Sequence, residues 1–270
     1  MTVQVIIQLS VIGGGVMGEA LLSRLLARQL YPANAVLVCD PSLPRRQFLQ
    51  ATYGVQVSAD NQNALAASEA ILLAVKPQAL VQVAAGLKHE GSTLLLSILA
   101  GVPLAKLQAV FPGRPVVRAM PNTPATVGAG MTAIAPSAEV SELQRERAEA
   151  IFAAVGEVVT VPESLLDAVT GLSGSGPAYI ALLIEALADG GVAAGLPRAI
   201  ALQLALQTVS GTAQLLQDTG WHPAELKDRV TSPGGTTIAG VAALEQHGFR
   251  SAAIEAVKAA SERSRQLGQG

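Results

Sequence analysis

Three glycines, Gly13, Gly15 and Gly18, stand between an apolar run, Val5 to Ile12, and a segment with helical periodicity, Glu19 to Arg28. Few short patterns restrict a fold as tightly. In a strand–turn–helix unit the first glycine permits the tight turn. The second lets backbone approach a pyrophosphate, and the third lets helix and strand pack closely. The pyrophosphate then sits on the free N–H groups of a helix N-terminus, where the helix dipole also favours an anion. The context that the fingerprint needs is present, including an acidic residue, Asp40, about 20 positions on. The chain is therefore expected to begin with a Rossmann domain that binds a nicotinamide dinucleotide at the turn Gly13, Gly14, Gly15, Val16, Met17 and Gly18, after Ile12.

The following segments extend this reading. Val36–Cys39, Gln56–Ser58, Ala70–Val75, Leu94–Ile98, Val116–Ala119 and Val158–Val161 read as strands, and Arg45–Tyr53, Asn63–Ser68 and Glu139–Ala154 as helices. Strands alternating with helices imply βαβ units and a doubly wound parallel sheet. After Pro162 only helical patterns remain: Ala178–Ala194, a long helix from Pro197, Glu225–Val230, Thr237–Gln246 and Arg250–Leu267. The expected organisation is α/β, with a Rossmann domain over 1–162 and an all-helical domain over 163–270. Ala178–Ala194 is apolar nearly all round, which suggests burial or an intersubunit seam. Charged residues make up 14% of the chain, below the usual quarter, and a surface this poor in charge points to an oligomer.

Several side chains admit two readings. Asp40, at the end of the second strand, can bind an adenine ribose 2′-OH, which favours NADH, or cap the turn that Pro41 and Ser42 continue. Arg45 and Arg46 can give charge-assisted, bidentate contacts to the 2′-phosphate of NADPH. Ala74-Val75-Lys76-Pro77 and Ala100-Gly101 end strands at the carboxyl edge of the sheet, where ligands bind in such folds; Lys76 is otherwise a solvated loop lysine. Arg118 and Asn122 can point into the same cleft. Gly171 to Ala178 is either a helix cap with a proline in its first turn or a close approach to a cofactor ring. Ser232-Pro233-Gly234-Gly235-Thr236-Thr237 carries the most information. A Pro-Gly-Gly turn feeds a helix, and free N–H groups with three hydroxyls make an anion pocket, of which a carboxylate is the obvious guest.

Taken together, Ala74-Val75-Lys76-Pro77, Met120-Pro121-Asn122-Thr123-Pro124, Leu172-Ser173-Gly174-Ser175-Gly176-Pro177-Ala178-Tyr179 and Ser232-Pro233-Gly234-Gly235-Thr236-Thr237 resemble the pyrroline-5-carboxylate reductase family over nearly the whole chain. The resemblance implies reduction of 1-pyrroline-5-carboxylate to L-proline by NADPH or NADH, the last step of proline biosynthesis. It implies a helical domain that interlocks with a partner in a homodimer, and further assembly into a decamer of five dimers. It places Ile12 to Met17 at the pyrophosphate, Asn61 at the cofactor, and Ala74, Val75, Lys76, Pro77, Ile98, Leu99 and Ala100 on the nicotinamide side, with Asp40 where the family often carries a Ser, Asn or Arg that selects at the 2′ end. Glu163, Ser232, Gly234, Gly235, Thr236 and Thr237 fall at the substrate, and Thr237 positions the ring nitrogen. Arg229 stands where some members carry Asn.

Composition narrows the alternatives. A net charge of −2 carries no basic excess for nucleic acid. The single cysteine, Cys39, cannot form an internal disulfide, and His89, His222 and His247 lack ligand spacing. No basic start precedes the apolar run at Met1 to Ile12, and no apolar run of membrane-spanning length lacks Gly, Pro or polar interruption, so a cytoplasmic protein without a membrane partner is expected. Two rivals remain: a reductase or dehydrogenase of another substrate, which would lack the Ser232 to Thr237 loop, and a non-catalytic dinucleotide sensor, which would not need it.

Overall fold

The computed structural model describes residues 6–85, 87 and 91–268; Val5 and His89 lie outside them. The chain forms strands β1 (Leu9–Ile12), β2 (Val36–Cys39), β3 (Gln56–Ser58), β4 (Ala70–Leu73), β5 (Leu94–Ser97), β6 (Val116–Pro121), β7 (Gly130–Pro136) and β8 (Gly156–Thr160). Its first five helices are α1 (Val16–Ala27), α2 (Leu43–Tyr53), α3 (Leu80–Ala85), α4 (Leu104–Val110) and α5 (Glu142–Ala153). The rest are α6 (Leu166–Val169), α7 (Gly176–Ala193), α8 (Arg198–Thr219), α9 (Pro223–Arg229), α10 (Thr236–Gln246) and α11 (Phe249–Gly268).

The eight strands make one sheet in the order β3-β2-β1-β4-β5-β6-β7-β8. Every pairing is parallel except β6 with β7. Alternate residues of each central strand enter two separate cores, as the two-residue period of a strand requires. Leu9, Val11, Val38, Leu72 and Leu96 pack with Leu21, Leu22 and Leu25 of α1 and Phe152 of α5. Ile12, Cys39, Ile71, Leu73 and Leu95 pack with Leu80 and Val83 of α3 and Leu104 and Leu107 of α4. Helices thus cover both faces, and this is why β1, β2, β4 and β5 are buried at every position.

The sheet differs from the expected one at β7, which runs antiparallel and makes the sheet mixed. Two short helices, α3 and α4, were likewise not expected. The segment Asn63–Ser68 is a 3₁₀ helix over Asn61–Ala66.

The chain divides into two compact units: residues to Gly174 with those from Ala260 onward, and Ser175–Ala259. The change from mixed to helical sequence after Pro162 therefore precedes the change in packing. Leu166 is buried with Ala133 and Ala135 of β7. Asp167 accepts a 2.7 Å hydrogen bond from the hydroxyl of Ser264 in α11.

In the second unit, α7 and α8 form an antiparallel pair around Ala188, Ala201 and Ala205, with Ile184 and Val192 against them. Gly195, at φ +99°, turns the chain between the two helices. Much of the pair's apolar surface is uncovered within one chain: Leu182 is 67% exposed and Leu204 53%. The helical stretches Glu163–Ala193 and Arg198–Thr219 are, by length and composition, long and apolar enough to cross a membrane. The interruptions in the first stretch, Gly176 and Pro177 among them, lie within helical structure.

Candidate active site

The glycine turn is held from several sides. Gly13 has φ +101°, a conformation in which a side chain is strained, and a Cβ there would lie 2.5 Å from the carbonyl oxygen of Ala74. Gly18 packs as tightly: its Cβ would come within 2.2 Å of Gly13 O and 3.3 Å of Ala74 Cβ. α1 therefore starts in direct contact with the end of β1 and with the loop after β4. Around Gly15 a Cβ would find nothing within 4 Å. Gly15 is the N-cap of α1 and gives no side-chain cap. Glu19 N–H makes the first intrahelical bond, to Gly15 O at 2.8 Å. The N–H groups of Val16, Met17 and Gly18 precede it and so have no acceptor within the helix. Val16 is 77% exposed at this end. Open space and unshared donors fit the pyrophosphate of a dinucleotide.

Backbone hydrogen bonds join the strand ends into one edge. Gly13 N–H donates to Cys39 O at 2.8 Å, Ala74 N–H to Ile12 O at 2.8 Å, and Ile98 N–H to Leu73 O at 3.1 Å. Ala74, Val75, Pro77 and Ile98 are half-buried along this edge, and Lys76 and Ala100 are exposed. Leu99 is 1% exposed and belongs to the core, so only its backbone faces the edge. Asn61 opens the 3₁₀ helix that follows β3 and is half-buried there. Burial pushes the Cys39 thiol up to about 12, with Asp60 adding to the effect, so it stays protonated and unreactive.

Asp40 and Arg45 occupy positions that spacing alone left open. One Asp40 carboxylate oxygen accepts Gly14 N–H and the other accepts Ser42 N–H, each at 2.9 Å. The turn reading of Asp40 is thus realised. Arg45 Nε donates to Gly14 O, and its Nη2 pairs with Glu19. Tyr53 donates to the other oxygen of Glu19 at 2.7 Å. The Arg45 guanidinium lies 5.0 Å from the ring centre of Phe48. Arg46 Nη1 donates to the carbonyls of Asp40 and Pro41 at 2.7 and 2.9 Å. Glu19 and Tyr53 had not been singled out in the sequence; the one available signal was an acidic residue in the first turn of α1.

Glu163, Arg118 and Asn122 make bracing contacts within the first unit. Glu163 Oε1 accepts the N–H of Leu104, at the start of α4, at 2.6 Å and Arg118 Nη1 at 3.0 Å. Asn122 accepts Met131 N–H at 2.8 Å and donates to Ser173 O at 3.2 Å. It ties β6 to β7 and to the turn before α7. That turn, Thr170–Gly174, is a π-helical segment, and a Cβ at Gly174 would lie 2.6 Å from Met120 Cε.

The anion loop belongs to the second unit. Gly234 has φ +64°, and Gly235 N–H donates to Ser232 O at 3.1 Å, which closes the turn. Gly235 is the N-cap of α10 and carries no side chain to cap it. The first intrahelical donor after it is Ala239 N–H, to Gly235 O, so the N–H groups of Thr236, Thr237 and Ile238 have no acceptor within the helix. Ser232, Gly234 and Thr236 are exposed; Gly235 and Thr237 are half-buried. Arg229 is occupied elsewhere, 4.0 Å over the Trp221 ring and paired with Glu225 at 2.9 Å.

Comparison with known proteins identifies the family. Residues 163–267 match the model for pyrroline-5-carboxylate reductase dimerisation, and residues 8–101 match that for NADP oxidoreductase, coenzyme F420-dependent. A pyrroline-5-carboxylate reductase of Synechocystis is 62% identical, with 97% of this chain and 99% of that protein covered. The solved pyrroline-5-carboxylate reductase of Coxiella burnetii superposes with a TM-score of 0.92 at 35% identity, covering 97% of this chain and 98% of that one. The pyrroline carboxylate reductase of Plasmodium falciparum, solved with NADP bound, superposes with a TM-score of 0.87 at 31% identity, again covering 97% and 98%. By sequence along its whole length and by fold, the chain belongs to the pyrroline-5-carboxylate reductase family.

Proposed function

We propose that this chain reduces 1-pyrroline-5-carboxylate to L-proline with NADPH or NADH, as the final step of proline biosynthesis. Full-length similarity to reductases of that name carries the reading. The dinucleotide, when bound, supplies the hydride that adds to the imine carbon, C2 of the pyrroline ring and C5 of the proline formed. The backbone from Ile12 to Gly18 holds its pyrophosphate. Asn61, the Ala74–Pro77 turn, Ile98, Ala100 and the backbone of Leu99 line the same sheet edge. Ser232, Gly234, Gly235, Thr236 and Thr237 bind the substrate carboxylate through N–H groups and hydroxyls. Several such donors orient a small acid at about 0.5–1.5 kcal/mol each, and more toward an ion. Thr237 positions the ring nitrogen. A threonine hydroxyl is a poor acid at neutral pH, so its task is orientation rather than proton supply. An imine protonated at nitrogen is already electrophilic at carbon, and the chain needs only to fix the two reactants face to face. Glu163 acts indirectly, through Arg118 and Leu104.

The apolar surface of α7 and α8 is, in this reading, covered by a second copy of the chain in a homodimer. The match of residues 163–267 to a dimerisation module supports a protein partner over lipid. Five such dimers form a decamer, and the enzyme works in the cytoplasm. Sedimentation without detergent tests the assembly: a decamer is expected, a dimer refutes the assembly of five, and dispersal only in detergent refutes the protein partner.

The activity is tested by adding 1-pyrroline-5-carboxylate to the protein with NADPH or NADH in separate assays. Oxidation of the cofactor with stoichiometric formation of proline is the expected result. A folded protein that binds the dinucleotide and consumes none of it with this substrate refutes the reading. Thr237→Ala should lower kcat clearly and leave cofactor affinity nearly unchanged.

A further inference from the structure

The two peptides that flank the Gly14 Cα are gripped by side chains of the next βα unit. Asp40 takes the Gly14 N–H at 2.9 Å, and Arg45 Nε donates to the Gly14 carbonyl. The main chain of the described residues contains no cis peptide. In a trans peptide the carbonyl and the following N–H point in opposite directions. Holding Gly14 O on the side of α2 therefore turns the Gly15 N–H away from Arg45. Gly15 is also the residue whose surroundings are empty.

We infer that Arg45 is a positioning residue of the glycine turn, held in place by Glu19, Tyr53 and Phe48, and that it serves NADH and NADPH alike. The inference rests on the proposed use of a dinucleotide and goes beyond it in assigning the task. Three contacts fix the guanidinium, and a fourth braces its partner. Nε is on Gly14 O and Nη2 on Glu19. The Phe48 ring lies 5.0 Å away, and Tyr53 braces Glu19 from the far side at 2.7 Å. Phe48 and Tyr53 themselves meet edge to face with ring centres 6.4 Å apart. Arg45 is also the only one of these groups that reaches back to the turn itself. A loosely held arginine kept for a 2′-phosphate would not need this scaffold. An arginine that sets a peptide plane does, because its geometry must be fixed before the ligand arrives.

The two tasks separate in one experiment. Arg45→Met, which keeps the stem over Phe48, is titrated directly with NADH and with NADPH, so the outcome does not depend on which substrate the enzyme turns over. Both dissociation constants should rise about tenfold, the usual effect of removing a charge-assisted bond, and by factors within about threefold of each other. Tyr53→Phe should weaken both in the same proportion but less. In the turnover assay the KM for either cofactor should rise while kcat at saturation holds. Melting of both variants is followed in parallel, and a lowered melting temperature without a change in either dissociation constant counts against the inference. Selective loss of NADPH binding overturns it in favour of a phosphate reader, and unchanged binding of both overturns it outright. Failure of the reductase reading would show separately, as absent turnover by the unaltered protein with binding intact.

Discussion

Replacing Glu163 separates a brace from a substrate contact. Its Oε1 accepts the first N–H of α4 at 2.6 Å and the Arg118 guanidinium at 3.0 Å. The Arg118 side chain is 9% exposed and that of Glu163 31%. A hydrogen bond to a charged group contributes about 1.5–3 kcal/mol. Two of them, reduced because water reaches a third of the carboxylate, make the loss in Glu163→Ala about 2–3 kcal/mol. Arg118 would also be left in a nearly closed site without its carboxylate, which keeps the cost at the upper end. For a chain of this size that is a fall of roughly 5–10 °C in melting temperature. Glu163→Gln keeps an oxygen at the same place and should recover more than half of it. Both variants are followed by thermal melting and by the KM for 1-pyrroline-5-carboxylate. A bracing Glu163 predicts a large change in melting with a small change in KM for the glutamine variant. Melting unchanged in Glu163→Ala, with KM raised tenfold or more, would refute the reasoning and return the residue to the substrate.

Four further outcomes follow from the same geometry. Gly235→Ala puts a methyl group 2.3 Å from the Ser232 hydroxyl; steady-state kinetics should show a KM for the imino acid raised about tenfold or more, with cofactor KM unchanged. Gly18→Ala drives a methyl into Gly13 O and Ala74 and should cost about 1–3 kcal/mol of stability by melting while weakening both cofactors. Leu182→Glu and Leu204→Glu place charge on the exposed apolar face of α7 and α8, and light scattering should report dissociation toward monomers. For Glu19, burial raises the carboxyl but the hydrogen bonds from Arg45 and Tyr53 outweigh it, leaving it below its ordinary value of 4.5. Its folded pKa is thus below its unfolded one, so its contribution is complete above 4.5 and is lost as pH falls through the depressed value. Dinucleotide affinity should hold from neutrality down past 4.5 and weaken only below it. A loss centred near pH 6 would assign the titration to another group.

What the sequence disclosed and what it hid divide along a physical line. Patterns within a few residues of each other were legible. The glycine spacing located the end of β1 and the start of α1, because only glycine satisfies both the φ of +101° at Gly13 and the 2.2 Å approach at Gly18. The Pro-Gly-Gly run located the uncapped start of α10. Continuous apolar runs located β2, β4 and β5, since strands covered on both faces are apolar throughout. β7 was lost because Met131-Thr132-Ala133-Ile134-Ala135 is short and small, preceded by Gly128 and Gly130 and followed by Pro136, and so reads as a loop; its pairing partners, β6 and β8, supply the order. α3 and α4, of 6 and 7 residues, are too short to show a helical period.

Side-chain partners were illegible for a different reason. Arg45 and Glu19 lie 26 positions apart, and Arg118 and Glu163 lie 45 apart; no local rule relates them. Asp40 shows the limit most sharply. The spacing rule put it at the end of β2, beside the glycine turn proposed for the pyrophosphate. A carboxylate there has two oxygens, and in this chain backbone N–H groups of Gly14 and Ser42 engage both. An acid so engaged shapes the turn first. It contacts a ribose only with lone pairs that the turn leaves over, because each carboxylate oxygen has two to offer. The preference between NADH and NADPH then depends on what those remaining lone pairs can reach, and the ratio of the two kcat/KM values in the unaltered enzyme measures it. Asp40→Asn keeps one acceptor oxygen and can serve only one of the two N–H groups. It should therefore weaken both cofactors in direct titration, where an acid that read the ribose alone would lose NADH selectively.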